Sequence, residues 1–155
     1  MHGVKRLSQE KRLAKRKENE ERAAAYRGRS KAAFERREKK QFDQESLDAI
    51  QKVVLENPDH ATMWNFRREV LQAMHPPSAG DTEERKAACK AEFQLTQEGL
   101  QINPKSYPVW YHRQWVLEWG ECKWQWPIEL KLTAKFLALD DRNFHCWTYR
   151  RFVVQ

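Results

Sequence analysis

Three times along this chain a tryptophan follows an Asn or Asp by seven residues and precedes an arginine by three. The copies run from Asn57 through Trp64 to Arg67, from Asn103 through Trp110 to Arg113, and from Asp140 through Trp147 to Arg150. The tryptophans stand 46 and 37 residues apart. A self-similar unit near that period marks an array of helical hairpins. Each hairpin cannot bury its apolar face alone, so its neighbours must cover it.

The residues between the copies fit that reading. Leu47, Ile50, Val54 and Leu55 form one apolar helical face, and Asn57-Pro58 stops the helix. Asp59 is placed to cap a second helix carrying Trp64, Arg67, Leu71 and Met74. His75 to Gly80 is a breaker, and Asp81 with Glu84 forms a capping-box arrangement for the next helix, which runs to Asn103-Pro104. Pro127 suits the first turn of a later helix. In that helix Ile128, Leu130, Leu132, Phe136, Leu137 and Leu139 spread around the axis, which predicts cover on several sides. The last Trp-bearing helix starts near Asn143. Its Trp147, Phe152, Val153 and Val154 have no following unit to pack against, so the chain reads as an array truncated at its C-terminus.

Charge divides the chain in two. Residues 1–40 hold 15 Lys or Arg against six Glu, a net +9, whereas the rest holds 14 basic against 16 acidic side chains, a net −2. The expected organisation is therefore a basic helical arm over 1–40 and a repeat domain over 41–155, with repeats at about 44–75, 82–118 and 127–155. A basic helix suits nucleic acid or an acidic membrane. Interspersed Glu18, Glu20, Glu21, Glu35 and Glu38 instead favour a solvated helix with local ion pairs, and no nucleic-acid partner is expected. No stretch approaches the roughly 18 apolar residues of a membrane span. Cys89, Cys122 and Cys146 are odd in number and lack metal-ligand spacing, which reads as buried, reduced thiols in a cytoplasmic protein.

Each repeated tryptophan fills the seam between hairpins, and Arg67, Arg113 and Arg150 either brace neighbouring helices or meet a partner. The position five before Trp holds Asp59, Lys105 and Arg142. A cation at a helix start runs against the macrodipole unless an anion such as phosphate docks there, so Lys105 is either an anion ligand or a solvated side chain. Tyr107 and Phe144, three before Trp, are placed to staple across the helix starts. No Gly-rich phosphate loop, nucleophile elbow or metal-binding helix is present, and the chain carries no self-sufficient catalytic set.

The three Trp-x-x-Arg copies, each led by Asn-Pro or acidic residues, resemble the repeats of protein prenyltransferase alpha subunits over roughly residues 44–154. Met1-His2-Gly3, the short basic arm and the run Asn57 to Leu71 are similar to the Rab geranylgeranyltransferase branch of that family. The resemblance implies an all-α, right-handed superhelix of antiparallel hairpins, wrapped around a beta subunit that holds Zn2+ and the isoprenoid pocket. It implies transfer of a geranylgeranyl group from its diphosphate to C-terminal cysteines of Rab GTPases presented by an escort protein.

The family's Lys-x-Tyr is matched by Lys105 and Tyr107, which implies diphosphate and transition-state contacts. Its Asn-Tyr-His is matched by Asn143, Phe144 and His145; Phe144 lacks the hydroxyl, so Asn143 and His145 are the implied substrate contacts. His2 is either a ligand reaching towards the partner's zinc or part of a free terminus. The isolated chain is expected to be inactive. Two other readings stand beside this one: the alpha subunit of farnesyl- and type I geranylgeranyltransferases, and a non-catalytic helical-repeat scaffold of RNA processing.

Overall fold

The computed structural model describes residues 8–155, which form seven α-helices and no strand among them. They are α1 (Gln9–Glu38), α2 (Gln44–Glu56), α3 (Ala61–Met74), α4 (Glu83–Ile102), α5 (Tyr107–Trp119), α6 (Trp126–Leu139) and α7 (Phe144–Val154). His2 and Leu7 lie outside the described residues. Three antiparallel hairpins, α2–α3, α4–α5 and α6–α7, stack so that α2 lies on α4, α3 on α5 and α5 on α7. No described helix is long and apolar enough to cross a membrane.

The turn inside each hairpin is built the same way. The side chain of the leading residue accepts a hydrogen bond from the backbone N–H two residues on: Asn57 from Asp59 at 3.2 Å, Asn103 from Lys105 at 3.1 Å, Asp140 from Arg142 at 3.0 Å. This is the Asx turn, which short polar side chains make because they mimic a turn of backbone. The reversal it sets brings a carbonyl over the coming helix. There Trp64, Trp110 and Trp147 each donate their indole N–H to the carbonyl six residues earlier, on Pro58, Pro104 and Asp141, at 2.7–2.8 Å. At Trp64 and Trp110 the ring thus fills the seam while its one polar atom is satisfied, whereas the Trp147 ring is half exposed.

Capping departs from the expected residues in two places. Thr82, not Asp81, caps α4, its hydroxyl accepting from the Arg85 N–H at 3.1 Å. At α3 the cap position falls on His60, without a side-chain bond, and the Asp59 carboxylate faces the next hairpin. Asn143 caps α7, accepting from the Cys146 N–H.

The core runs through the seams, from Ile50, Val53 and Val54 through Trp64, Phe66, Leu71 and Leu100 to Val116 and Leu117. Two expectations fail at the far edge. Ile128 is 50% and Leu139 84% exposed, so α6 is not covered on several sides; nothing among the described residues stacks on its outer face. Of the last apolar residues, Val153 is buried and Phe152 packs on Trp126, leaving only Trp147 and Val154 open.

The basic arm docks through its second half alone. Arg36 donates to Ser46 Oγ at 2.7 Å and grips Asp43 at 2.8 and 3.0 Å, and Arg37 pairs with Glu69. Leu13 and Ala23 face solvent, while Ala33 is fully buried.

Gly120 closes the second hairpin where two thiols converge. A Cβ there would lie 2.3 Å from Cys89 Sγ and 2.6 Å from Cys122 Sγ. Gly120→Ala is therefore expected to destabilise the chain by about 1–3 kcal/mol, the cost of overpacking a filled site. Urea unfolding measures it, and an unchanged midpoint would show that the seam can relax.

Candidate functional site

A row of buried ion pairs ties hairpin to hairpin, and it fixes where the exposed residues stand. Arg67 donates through Nη1 to the Leu47 carbonyl and holds Glu92 of the next hairpin with two bonds of 2.7 Å. Arg113 repeats the move, with Nη1 on the Phe93 carbonyl and Thr96, and with Glu129 held at 2.6 and 2.7 Å. The fork matches a carboxylate's two oxygens, which is why arginine rather than lysine serves here.

Each glutamate also takes a bond from the residue two after Trp in its own hairpin, and Glu129 takes a further one from Gln125 Nε2 at 2.7 Å. His112 Nε2 lies 2.8 Å from Glu92, and Tyr149 donates its hydroxyl to Glu129 at 2.7 Å. The same two rings pack on the preceding hairpin's tryptophan, His112 on Trp64 and Tyr149 on Trp110. His112 and Tyr149 are thus one position in two chemical forms.

Protonation in this row follows from geometry. Arg68 Nη1, which can only donate, lies 3.2 Å from His112 Nδ1, so Nδ1 must be bare and Nε2–H donates to Glu92. Burial holds the His112 imidazole below its ordinary range, keeping it neutral, although Glu92 pulls the other way. Burial likewise works to raise the Glu92 carboxyl, but the Arg67 charge and the His112 hydrogen bond overcome it and bring it to about 2.

The surface beside this row is aromatic and open. Tyr107 stacks on Tyr111 with ring centres 6.1 Å apart, and the His145 ring lies 6.1 Å from Tyr107 and 4.2 Å from Phe144. Arg68 sits over the Tyr111 ring at 4.9 Å. The four rings of Tyr107, Tyr111, Phe144 and His145, with Trp110, Gln114, Thr148 and Tyr149, line an open hollow of about 370 Å3 at the starts of α5 and α7. Tyr107 and Phe144 are 62% and 68% exposed, so neither acts as a staple buried across its helix start.

Lys105 lies two residues before this helix start. Its Nζ is 2.9 Å from Asp140 Oδ2, and the lysine with the Arg142 backbone N–H holds the Asp140 carboxyl below the usual range. The contact belongs to a second row of links between turns. One hairpin back, Asn103 Nδ2 donates to Asp59 Oδ2 at 3.1 Å. Lysine five before Trp therefore has a structural reason: the next leading residue is an aspartate.

Asn143 and His145 differ in kind. Asn143 is buried, with Nδ2 donating to the Pro104 carbonyl at 2.9 Å and Oδ1 capping α7, so both ends are engaged within the chain. His145 faces the hollow. The structure brings Tyr107 and His145 together and leaves Asn143 beneath them. Arg150 bonds the Leu130 carbonyl and Thr133. Among the described residues no three His, Cys, Asp or Glu converge as a metal site, and the three cysteines are free, buried thiols.

Stacked hairpins braced by buried Arg–Glu pairs, with cations and aromatics exposed along the helix starts, define a helical-repeat array with an open aromatic face. The protein prenyltransferase alpha subunit repeat matches residues 43–74, 89–120 and 126–155, and the chain belongs to that family. It is 43% identical over 99% of its length to the geranylgeranyl transferase type-2 subunit alpha of Rattus norvegicus, and 42% identical over the same share to that of Homo sapiens. Against the Dictyostelium discoideum protein of that name the identity is 38% over the whole chain. The chain spans 27% of the length of the rat and human relatives and 50% of the Dictyostelium one.

Proposed function

We infer that this chain is the N-terminal part of the alpha subunit of a Rab-type geranylgeranyltransferase, acting in the cytoplasm with a beta subunit. The observation that carries the reading is the surface formed by Lys105, Tyr107 and His145, on a chain whose relatives are named for geranylgeranyl transfer. The chemistry is a displacement. A cysteine sulfur of the Rab acceptor, presented with its escort protein, attacks C1 of geranylgeranyl diphosphate. The C–S bond forms as the C1–O bond breaks, and the electron pair leaves on the diphosphate.

Negative charge grows on that leaving group, and a positioned cation lowers the barrier most where water is excluded. Lys105 supplies the cation from the turn before α5, moving between Asp140 and the diphosphate. Tyr107 and His145 offer donors beside it, and Asn143 holds the helix that carries His145. Zinc, which would keep the sulfur as thiolate, is assigned to the beta subunit. On this reading the chain alone is inactive. The basic arm serves packing, since Arg29, Arg36 and Arg37 are ion-paired within the chain.

Co-expression with a type-2 beta subunit tests the assignment. The expected result is a zinc-containing complex that shows little dependence on moderate salt. Retention of RNA, released sharply as salt rises, would instead support a scaffold of RNA processing. Acceptance of short CaaX peptides without escort protein would move the chain to the farnesyl and type I branch.

A further inference from the structure

The turn that closes α5 brings two cysteines together. Glu121 N–H donates to the Glu118 carbonyl at 3.2 Å, and Cys122 N–H donates to the Leu117 carbonyl at 3.1 Å. This nested pair is the Schellman motif, which sets the residue after the cap in the left-handed region and folds the next one back onto the helix. Glu121 takes the left-handed place, with φ 49°, where glycine is the usual occupant. Cys122 is the residue folded back. The glycine stands one place earlier, at Gly120, whose φ of −86° any residue adopts. Its reason is space. A Cβ there would meet the Cys89 and Cys122 sulfurs at 2.3 and 2.6 Å, so the two sulfurs lie within about 5 Å of each other.

Cys89 reaches that point from α4, one turn after Arg85 on the same face. Arg85 lies over the Trp119 ring at 5.0 Å, and its hydrogen bonds go to the Gly80 and Trp119 carbonyls, so no acid among the described residues pairs with it. The Cys122 hydrogen bond and, after it, the Arg85 charge hold the Cys89 thiol below its ordinary range against the pull of burial. Cys122 is raised by the same bond and by burial. Cys146 is the contrast. It is just as buried, but it faces the Thr133 carbonyl rather than a second thiol, and burial pushes it up to about 11. Access differs too. Opening the turn at Glu121, a side chain in a costly conformation, uncovers the pair without unfolding a helix, whereas Cys146 sits in the body of α7.

We propose that Cys89 and Cys122 are a site of reversible oxidation by a hydroperoxide, closing to a disulfide that ties α4 to the turn after α5. The Cys89 thiolate attacks one oxygen of hydrogen peroxide. The O–O bond breaks, leaving a sulfenic acid on Cys89 and a hydroxide that takes up the proton the thiol lost. The Cys122 sulfur then attacks the Cys89 sulfur. The S–S bond forms, the S–O bond breaks, and water leaves with the Cys122 proton. Two thiols thus give two electrons to one peroxide. The site lies at the opposite end of α5 from Tyr107, so it stands apart from the prenyl-transfer reading.

The test treats the reduced full chain with hydrogen peroxide, alkylates the remaining thiols in denaturant and maps unreduced peptides by mass spectrometry. The expected product has lost two hydrogens, carries a Cys89–Cys122 crosslink within one chain and returns to the dithiol with dithiothreitol. It should form roughly tenfold or more faster than Cys146 loses its thiol. In Cys122→Ala the chemistry should halt at a Cys89 sulfenic acid that dimedone captures. In Cys89→Ala the remaining Cys122 thiol should oxidise roughly tenfold slower than Cys89 does in Cys122→Ala. Global unfolding exposes all three thiols alike, so oxidation of Cys146 in step with the pair would overturn the proposal. Crosslinks formed chiefly between chains, or through Cys146, would do the same. Equal rates in the two alanine variants would overturn the order of attack.

Discussion

Glu92→Ala is expected to lower the unfolding free energy of this chain by about 3–5 kcal/mol, the cost of leaving one member of a buried ion pair alone. Arg67 is 4% exposed and would keep its charge with only the Leu47 carbonyl for company. Because domains of this size are stable by about 5–15 kcal/mol, such a loss shifts the urea midpoint substantially. The double variant Arg67→Met with Glu92→Leu should recover much of it, since two apolar side chains of similar volume remove both charges together. A loss below about 1 kcal/mol in Glu92→Ala would mean that water reaches the pair.

Acid should act on the same pair, and the sign can be worked through. The Glu92 carboxyl is held at about 2 in the folded chain against an ordinary 4.5, so between those values the unfolded chain binds a proton that the folded one refuses. Stability from this group is complete above pH 4.5 and is lost as pH falls towards 2, by on the order of 3 kcal/mol. His112 adds to the trend from a higher pH. Its imidazole is held below the ordinary 6.5 in the fold, so protonation of the unfolded chain begins to oppose folding below that value. Urea midpoints followed from pH 8 to pH 3 should hold to about pH 6.5 and fall below it, and in Glu92→Gln the steep part below pH 4.5 should flatten.

Lys105→Ala carries the second large effect. In a complex with the beta subunit it is expected to slow single-turnover prenyl transfer by about a hundredfold, the scale on which one preorganised donor to a developing negative charge contributes. Assembly should be unaffected, because the lysine is mostly exposed and among the described residues its Nζ pairs only with Asp140. Asp140→Asn is the informative companion: it frees the lysine without removing it, so transfer should hold or quicken while Lys105→Ala fails. Equal, slight effects of both changes would reduce the contact to a surface link between turns.

The helices, the seam tryptophans and the helix stop at Asn57-Pro58 were legible in the sequence, because they rest on short, fixed spacings. The glutamates were not. Arg67 and Glu92 are 25 residues apart, whereas Arg113 and Glu129 are 16 apart, chiefly since α4 runs further than α6 before its glutamate while the stacking is the same. The signal lay instead within each hairpin: Glu92 with Thr96 before Arg113, and Glu129 with Thr133 before Arg150, at the same intervals. Asp59 was misplaced for a related reason. Helix-start chemistry favours an acid there, but its nearest polar partner, Asn103, belongs to the following hairpin.

By itself the sequence determined the repeat, its helical character and the turn that each Asn or Asp sets, all of which depend on neighbours within about ten residues. Tertiary structure alone decided what each repeat holds on to. It gave Arg67 and Arg113 their carboxylates, laid His112 and Tyr149 on the preceding hairpin's tryptophans, engaged Asn143 inside the stack and set Lys105 against Asp140. Those partners come from different hairpins, and only the stacking of one unit on the next brings them within hydrogen-bond reach.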